Sequence, residues 1–167
     1  MASGEAIGAI CMSEPEAGSD LKALRTSATP TDGGYLLNGS KTFITNGLNA
    51  DIAVVAARIG NDQGASAISL FVVDASSSGF IKGRKLDKVG NRSSDTAELF
   101  FENLFIPAEN LIGGQGNGFK LMMQELPQER LSIAISCQAA AQHAYDITLD
   151  SLEQRQAFGK SIKDFQN

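Results

Sequence analysis

The hydrophobic residues of this chain change period once, and that switch limits the folds open to it. Between Tyr35 and about Phe105, apolar residues fall in short runs rich in β-branched and aromatic side chains, at 35–38, 41–45, 52–57, 68–73 and 97–101. Such runs suit strands, because branched and aromatic side chains pack well on a pleated surface. Turn signals separate them, at Asp32-Gly33-Gly34, Asn38-Gly39, Asn46-Gly47, Asn61-Asp62-Gln63-Gly64 and Ser76-Ser77-Ser78-Gly79. The spacing predicts a mainly β body over residues 1–112, an antiparallel β sandwich or barrel.

After Ile106-Pro107 and the glycine-rich stretch 113–118 the period becomes helical. Phe119, Met122, Met123 and Leu126, then Leu131, Ala134, Ile135 and Gln138, recur at three- and four-residue steps. Pro127 is expected to kink or restart this helix, which continues through Ala139-Ala140-Ala141 to about Arg155, shortly before a turn at Phe158-Gly159. An amphipathic helix of that length usually buries its apolar face in a bundle. Residues 113–167 are therefore expected to begin a helical domain that is truncated here or that docks against other subunits.

Composition narrows the function classes. A chain of 167 residues, 43% of them hydrophobic, can bury one core and carry an appendage. Its net charge of −5, with 14 scattered Lys and Arg residues, argues against a nucleic-acid-binding surface. Cys11 and Cys137 stand far apart with no C-x-x-C or Cys/His spacing, which points to neither a disulfide framework nor a metal site. No apolar run is long enough to span a membrane, and the start lacks a secretory pattern. The 113–118 loop has no P-loop lysine and reads as a hinge. His143 has no nucleophile or ligand partner in the sequence pattern and receives no function.

Residues 125–134 carry the chemistry. Glu125 and Glu129 lie one helical turn apart, beside Arg130 and an apolar run. On residue types alone, Glu129 reads either as a proton acceptor against an apolar ligand or as a solvated helix carboxylate paired with a cation. Glu125 reads as structural.

Four ordered segments resemble the acyl-CoA dehydrogenases: Cys11-Met12-Ser13-Glu14-Pro15-Glu16-Ala17-Gly18-Ser19-Asp20, Asn38-Gly39-Ser40-Lys41-Thr42-Phe43-Ile44-Thr45-Asn46-Gly47, Phe80-Ile81-Lys82-Gly83-Arg84-Lys85-Leu86-Asp87-Lys88-Val89-Gly90, and Arg155-Gln156-Ala157-Phe158-Gly159-Lys160. The resemblance implies the family's middle β domain over 1–112 and the start of its C-terminal helical domain over 113–167. It also implies FAD-dependent α,β-dehydrogenation of fatty acyl-CoA to trans-2-enoyl-CoA. In that reaction a base removes the proton next to the thioester carbonyl, and a hydride leaves the neighbouring carbon for the flavin. Most members take the base from a later helix, whereas the long-chain and isovaleryl types carry it on the earlier helix, directly before an arginine. Leu126-Pro127-Gln128-Glu129-Arg130-Leu131 is most similar to the long-chain type, which implies Glu129 as the base and Arg130 as its support.

Carried over residue by residue, Cys11, Met12 and Ser13 resemble the strand that meets the flavin ring, and Phe43, Ile44 and Thr45 the strand at its other edge. Arg155 and Phe158 resemble positions that reach the FAD of a neighbouring subunit, where a guanidinium suits a pyrophosphate. Ser19 resembles the position that meets the coenzyme A portion of the substrate, and Met123, Leu126, Pro127, Gln128 and Arg130 those along the acyl chain. Without the resemblance these are core strands, a turn or cap at Ser19, a solvated Arg155 and helix packing. Glu16 departs from the family's usual glycine. The resemblance further implies an electron-transfer flavoprotein as acceptor and a homotetramer, and either the bacterial cytoplasm or the mitochondrial matrix suits the cysteine usage. Two other readings stay open: a related flavoprotein oxidase or nitroalkane oxidase, separated by its reaction with oxygen, and a non-catalytic β-domain binding module, separated by the absence of bound flavin.

Overall fold

A computed structural model describes residues 1–60 and 64–165 of the chain. Asn61, Asp62 and Gln63 of the expected Asn61-Asp62-Gln63-Gly64 turn therefore lie outside the described residues. The elements are β1 (Gly8–Cys11), β2 (Ser27–Thr31), β3 (Gly34–Thr45), β4 (Ile52–Ile59), β5 (Ile68–Asp74), β6 (Phe80–Lys85), β7 (Thr96–Pro107), β8 (Leu111–Ile112), α1 (Gly118–Gln154), β9 (Gln156–Ala157) and β10 (Lys160–Ser161).

The first eight strands form one sheet in the order β6-β7-β3-β2-β4-β5-β8, with β1 also on β4. The order runs from one free end to the other, so the expected β body is present as a sandwich-like sheet without the closure of a barrel. It is also not purely antiparallel. β5 pairs with β4 over Ile52 to Arg58, while β1 pairs in parallel with Ile52 to Val55 and β2 in parallel with Arg58 and Ile59. Because β5 fills one edge of β4, β1 and β2 lie in succession along the other. The chain leaves that edge at Cys11 and rejoins it at Ser27, and residues 12–26 between them make the excursion on which the candidate site is built.

Two of the expected strands, 35–38 and 41–45, are a single strand, β3, and Asn38-Gly39 makes no turn. Between the pairs Leu37–Leu104 and Gly39–Phe101, β7 carries one residue more than β3. This bulge is held by Asn38, whose Oδ1 accepts from the Asn103 backbone N–H at 2.9 Å and whose Nδ2 donates to Asn103 Oδ1 at 3.2 Å. The asparagine pair thus uses the side-chain chemistry that a turn would have used. Asp32-Gly33 does connect two paired strands, β2 and β3.

The main core lies between residues of β3, β4, β5 and β7, including Leu37, Val55, Phe71, Leu99 and Leu104, all fully buried. Phe80 and Phe101 meet edge to face at 5.5 Å, and Tyr35 and Phe71 at 5.1 Å. Each such pair adds about 0.5–1.5 kcal/mol beyond the burial of its area. A second cluster joins Ala17, Leu24, Ala56, Ile68, Leu70 and Met122. It seats the first turn of α1, where a Cβ on Gly118 would stand 2.8 Å from Ser69 Cα. Only glycine allows that approach.

Residues Met1–Met122 form one compact unit and Met123–Asn167 another. Within the second, α1 continues through Pro127 as one helix and is not restarted there. Its 37 residues correspond to about 55 Å. Leu131, Ile133, Ile135, Tyr145, Ile147 and Leu149 are exposed along it. The helix is followed by the β9–β10 hairpin, whose two turn residues, Phe158 and Gly159, have φ of 53° and 79°. Both positive values match the two-residue turn whose twist suits paired strands. Ser161 Oγ ties the hairpin back by donating to the Leu152 carbonyl at 2.7 Å.

Candidate functional site

The excursion between β1 and β2 is held by a buried ion pair. Glu14 and Ala17 exchange backbone hydrogen bonds of 2.8 and 3.1 Å, which folds residues 14–17 into a tight reversal. The Glu14 carboxylate turns inward and accepts from the backbone N–H of Arg25 and of Thr26, and from Lys41 Nζ at 2.8 Å. Lys41 Nζ also donates to the Met12 carbonyl at 3.0 Å, and the Thr42 N–H donates to the Ser13 carbonyl at 3.0 Å. The segment 11–13 is thereby fastened to the end of β3.

Lys41 is 1% exposed and Glu14 7%. Burial pushes the Glu14 carboxyl up, but the charge of Lys41 and the hydrogen bonds from Lys41, Thr26 and Arg25 outweigh it and hold the group below the ordinary carboxylate range. Burial draws the Lys41 ammonium down against the opposing pull of Glu14. Burial also pushes the Cys11 thiol up to about 12, with the charge of Lys41 acting against it, so Cys11 stays a neutral core thiol. Sequence reasoning assigned no role to Glu14 or Lys41. A signal was present: once β3 is read as continuous through Asn38-Gly39, Lys41 shares the inward parity of Leu37.

The next feature is a second bulge, in which β3 gains one residue over β7 between the pairs Lys41–Leu99 and Ile44–Ala97. Phe43 sits there at φ 59°. A left-handed backbone at an aromatic residue costs about 1–3 kcal/mol and persists only where the surroundings enforce it. Here the enforcement comes from both flanks, the anchored Lys41 on one side and the buried Ile44 on the other. The extra residue reverses the strand's parity, so Ile44 points into the core and Phe43 is left 69% exposed.

Six of the residues named from sequence are thus brought to one end of β3. Met12 and Ser13 are half-buried, Phe43 and Thr45 are exposed, and Cys11 and Ile44 are buried and can offer a ligand only their backbone. The hydroxyls of Ser13 and Thr45 make no hydrogen bond among the described residues. Apolar surface from Met12 and Phe43 beside uncommitted hydroxyls fits a flat heteroaromatic ring with polar edges, such as the isoalloxazine of FAD. Ser19 is exposed on the same excursion, and the neighbouring Asp20, not Ser19, caps the short turn that follows by accepting from the Lys22 N–H at 3.1 Å.

The other candidates lie in the second unit. Leu126 and Glu129 share one stripe of α1, and Met123, Pro127 and Arg130 share the next, with Gln128 beyond them. Leu126 is half-buried and the rest are exposed. Glu129 forms no ion pair among the described residues, with Arg130 or any other cation. Arg155 follows the last turn of α1, and its carbonyl accepts from the Ile162 N–H at 2.9 Å. Phe158 stands 95% exposed at the hairpin tip, its ring 6.2 Å from Phe165.

Comparison with known proteins shows the family. The model of the acyl-CoA dehydrogenase middle domain matches residues 9–104, and that of the acyl-CoA dehydrogenase C-terminal domain matches residues 116–167. The mitochondrial long-chain specific acyl-CoA dehydrogenase of Mus musculus is 48% identical over 168 residues, covering 99% of this chain and 39% of that protein. The crystal structure of acyl-CoA dehydrogenase from Geobacillus kaustophilus superposes with a TM-score of 0.94 at 48% identity, over 98% of this chain and 44% of that one. The FAD complex of PigA superposes with a TM-score of 0.92 at 32% identity, over 98% of this chain and 43% of that one. The chain thus spans about two-fifths of the length of the relatives it matches. With matched domain models over both its β and its helical parts, the chain belongs to the acyl-CoA dehydrogenase family.

Proposed function

We propose that the chain is the middle domain, residues 1–112, and the start of the C-terminal domain, residues 113–167, of a longer FAD-dependent enzyme that oxidises fatty acyl-CoA to trans-2-enoyl-CoA. The observation that carries the reading is the exposed, left-handed Phe43 beside the fastened 11–13 segment, an open apolar site with spare hydroxyls in a chain that superposes on the FAD complex of PigA. Met12 and Phe43 make the flat contacts, Ser13 and Thr45 hydrogen-bond the ring's polar edge, and Cys11 and Ile44 contribute backbone. FAD, when bound, supplies the hydride acceptor. Arg155 and Phe158 reach the cofactor of a neighbouring subunit in a tetramer.

Glu129 takes the proton from the carbon next to the thioester carbonyl. A bound acyl chain brings the carbon that loses the proton against its carboxylate and keeps water out. Arg130 supports its placement. Met123, Leu126, Pro127 and Gln128 line the acyl path, and Ser19 meets the coenzyme A portion. Electrons leave to an electron-transfer flavoprotein, in the bacterial cytoplasm or the mitochondrial matrix.

The test is anaerobic bleaching of the flavin by a panel of acyl-CoA chain lengths, in the natural enzyme and in Glu129→Gln. A substituted enzyme that keeps its FAD absorbance but does not bleach supports Glu129 as the base. One that bleaches at the normal rate places the base elsewhere.

A further inference from the structure

We propose that the buried Glu14–Lys41 pair is a positioning device for the flavin site, setting the 11–13 segment and the left-handed Phe43 in one geometry suited to the ring. The inference rests on reading those residues as flavin contacts.

A buried ion pair is a poor device for stability alone, since well-packed apolar residues of the same volume often do as well or better. What the pair supplies is connection. Glu14 Oε1 receives Thr26 N–H and Lys41 Nζ, Glu14 Oε2 receives Arg25 N–H, and Lys41 Nζ goes on to the Met12 carbonyl. One carboxylate and one ammonium therefore lock together three stretches of chain, at 12–14, 25–26 and 41. The network is complete, because no buried side-chain nitrogen or oxygen among the described residues lacks a partner. Complete buried networks rigidify, and partial ones do not.

Both halves of the site hang from this lock. On one side, Met12 and Ser13 take their places through their carbonyls, held by Lys41 Nζ and the Thr42 N–H. On the other, Lys41 is the last regularly paired residue before the bulge that turns Phe43 outward. An ammonium free to move would release the left-handed backbone at Phe43, whose strain has no support from its own exposed side chain. Neutral replacements of the same shape would fill the core but untie the Met12 carbonyl and the end of β3 from residue 14.

The experiment compares the FAD-loaded enzyme with Glu14→Gln/Lys41→Met, which removes both charges and keeps the volume. Ile106→Val serves as a core variant away from the pair, since Ile106 is buried opposite Tyr35 at the far end of β3. Thermal unfolding, FAD affinity by flavin fluorescence quenching and visible circular dichroism of the bound flavin are measured on each. The expected result is a folded double variant that binds FAD about tenfold or more weakly, the loss usual when a supporting shell is removed. Its flavin dichroism is altered, whereas Ile106→Val lowers the unfolding temperature but leaves affinity and spectrum unchanged. A folded double variant with wild-type affinity and spectrum overturns the proposal. If the double variant does not fold, Lys41→Met alone decides, since the Glu14 carboxyl can take up a proton and keep its bonds from the Arg25 and Thr26 N–H groups, with the same two readouts and the same two outcomes. A natural enzyme that takes up no FAD would sink the flavin reading and this inference with it, an outcome visible before any variant is made.

Discussion

Replacing Gly39 with alanine tests whether close approach, rather than turn chemistry, explains the glycine of Asn38-Gly39. A Cβ there would lie 2.6 Å from Thr26 Oγ1, 2.7 Å from Thr26 Cα and 2.9 Å from Thr26 Cβ, on a backbone with φ of 147°. Two of those three atoms cannot swing away by a side-chain rotation, so the backbone at Thr26, just before β2, must yield. Overpacking of this kind costs about 1–3 kcal/mol, and the positive φ adds a further cost of roughly 1 kcal/mol or more, for a total of about 3 kcal/mol. Gly33→Ala supplies the control, because Gly33 has φ 74° but nothing within 4 Å of its ideal Cβ. It should lose only the backbone contribution, about 1–2 kcal/mol. Urea unfolding followed by circular dichroism resolves the difference, since a slope of about 1–3 kcal/mol/M turns 3 kcal/mol into a midpoint shift of about 1–3 M. If Gly39→Ala costs no more than Gly33→Ala, the contact with Thr26 is not what excludes a side chain. Because the Thr26 N–H donates to Glu14, the same variant should also weaken FAD binding.

Two further outcomes follow from the buried groups. The Glu14 carboxyl lies below its ordinary value of 4.5 in the folded protein, so its contribution to stability is present above that value and is lost as pH falls through the folded one. The stability gap between the natural protein and Glu14→Gln, read from urea midpoints between pH 7 and pH 3, should narrow with acid, and a gap independent of pH would contradict the assignment. Thiol titration at pH 8 should modify Cys137, which is exposed, and spare Cys11, which is fully buried, until denaturant is added. Two fast thiols in the native protein would show that β1 is not seated as described.

Much of the fold was legible because most strands carry their own signal. Residues 52–57, 68–73 and 97–101 are apolar and branched enough to announce β4, β5 and part of β7, and the three- and four-residue steps after Gly118 announce α1. β1 and β2 lack such a signal. β1 is four residues with a glycine, and β2 contains Pro30 and two exposed threonines, so β1 owes its place to pairing with β4, and β2 to pairing with β3 and β4, and not to its own pattern. Asn38-Gly39 misled because a turn and a bulge draw on the same residue types, and only the partner strand, through Asn103, distinguishes them.

The site divides along the same line. Sequence alone determined which residue types were available, a glutamate before an arginine on a helix and two motif strands similar to those of a flavoenzyme family, because chemistry is written in side chains. Tertiary structure alone decided what those residues present. Simple alternation from Leu37 would have turned Phe43 into the core and Ile44 out, and the extra residue in β3 reverses both. The reason is physical: Lys41 and Glu14, 27 positions apart in the chain, can be buried only together, and the backbone bends at Phe43 next to the place where they meet.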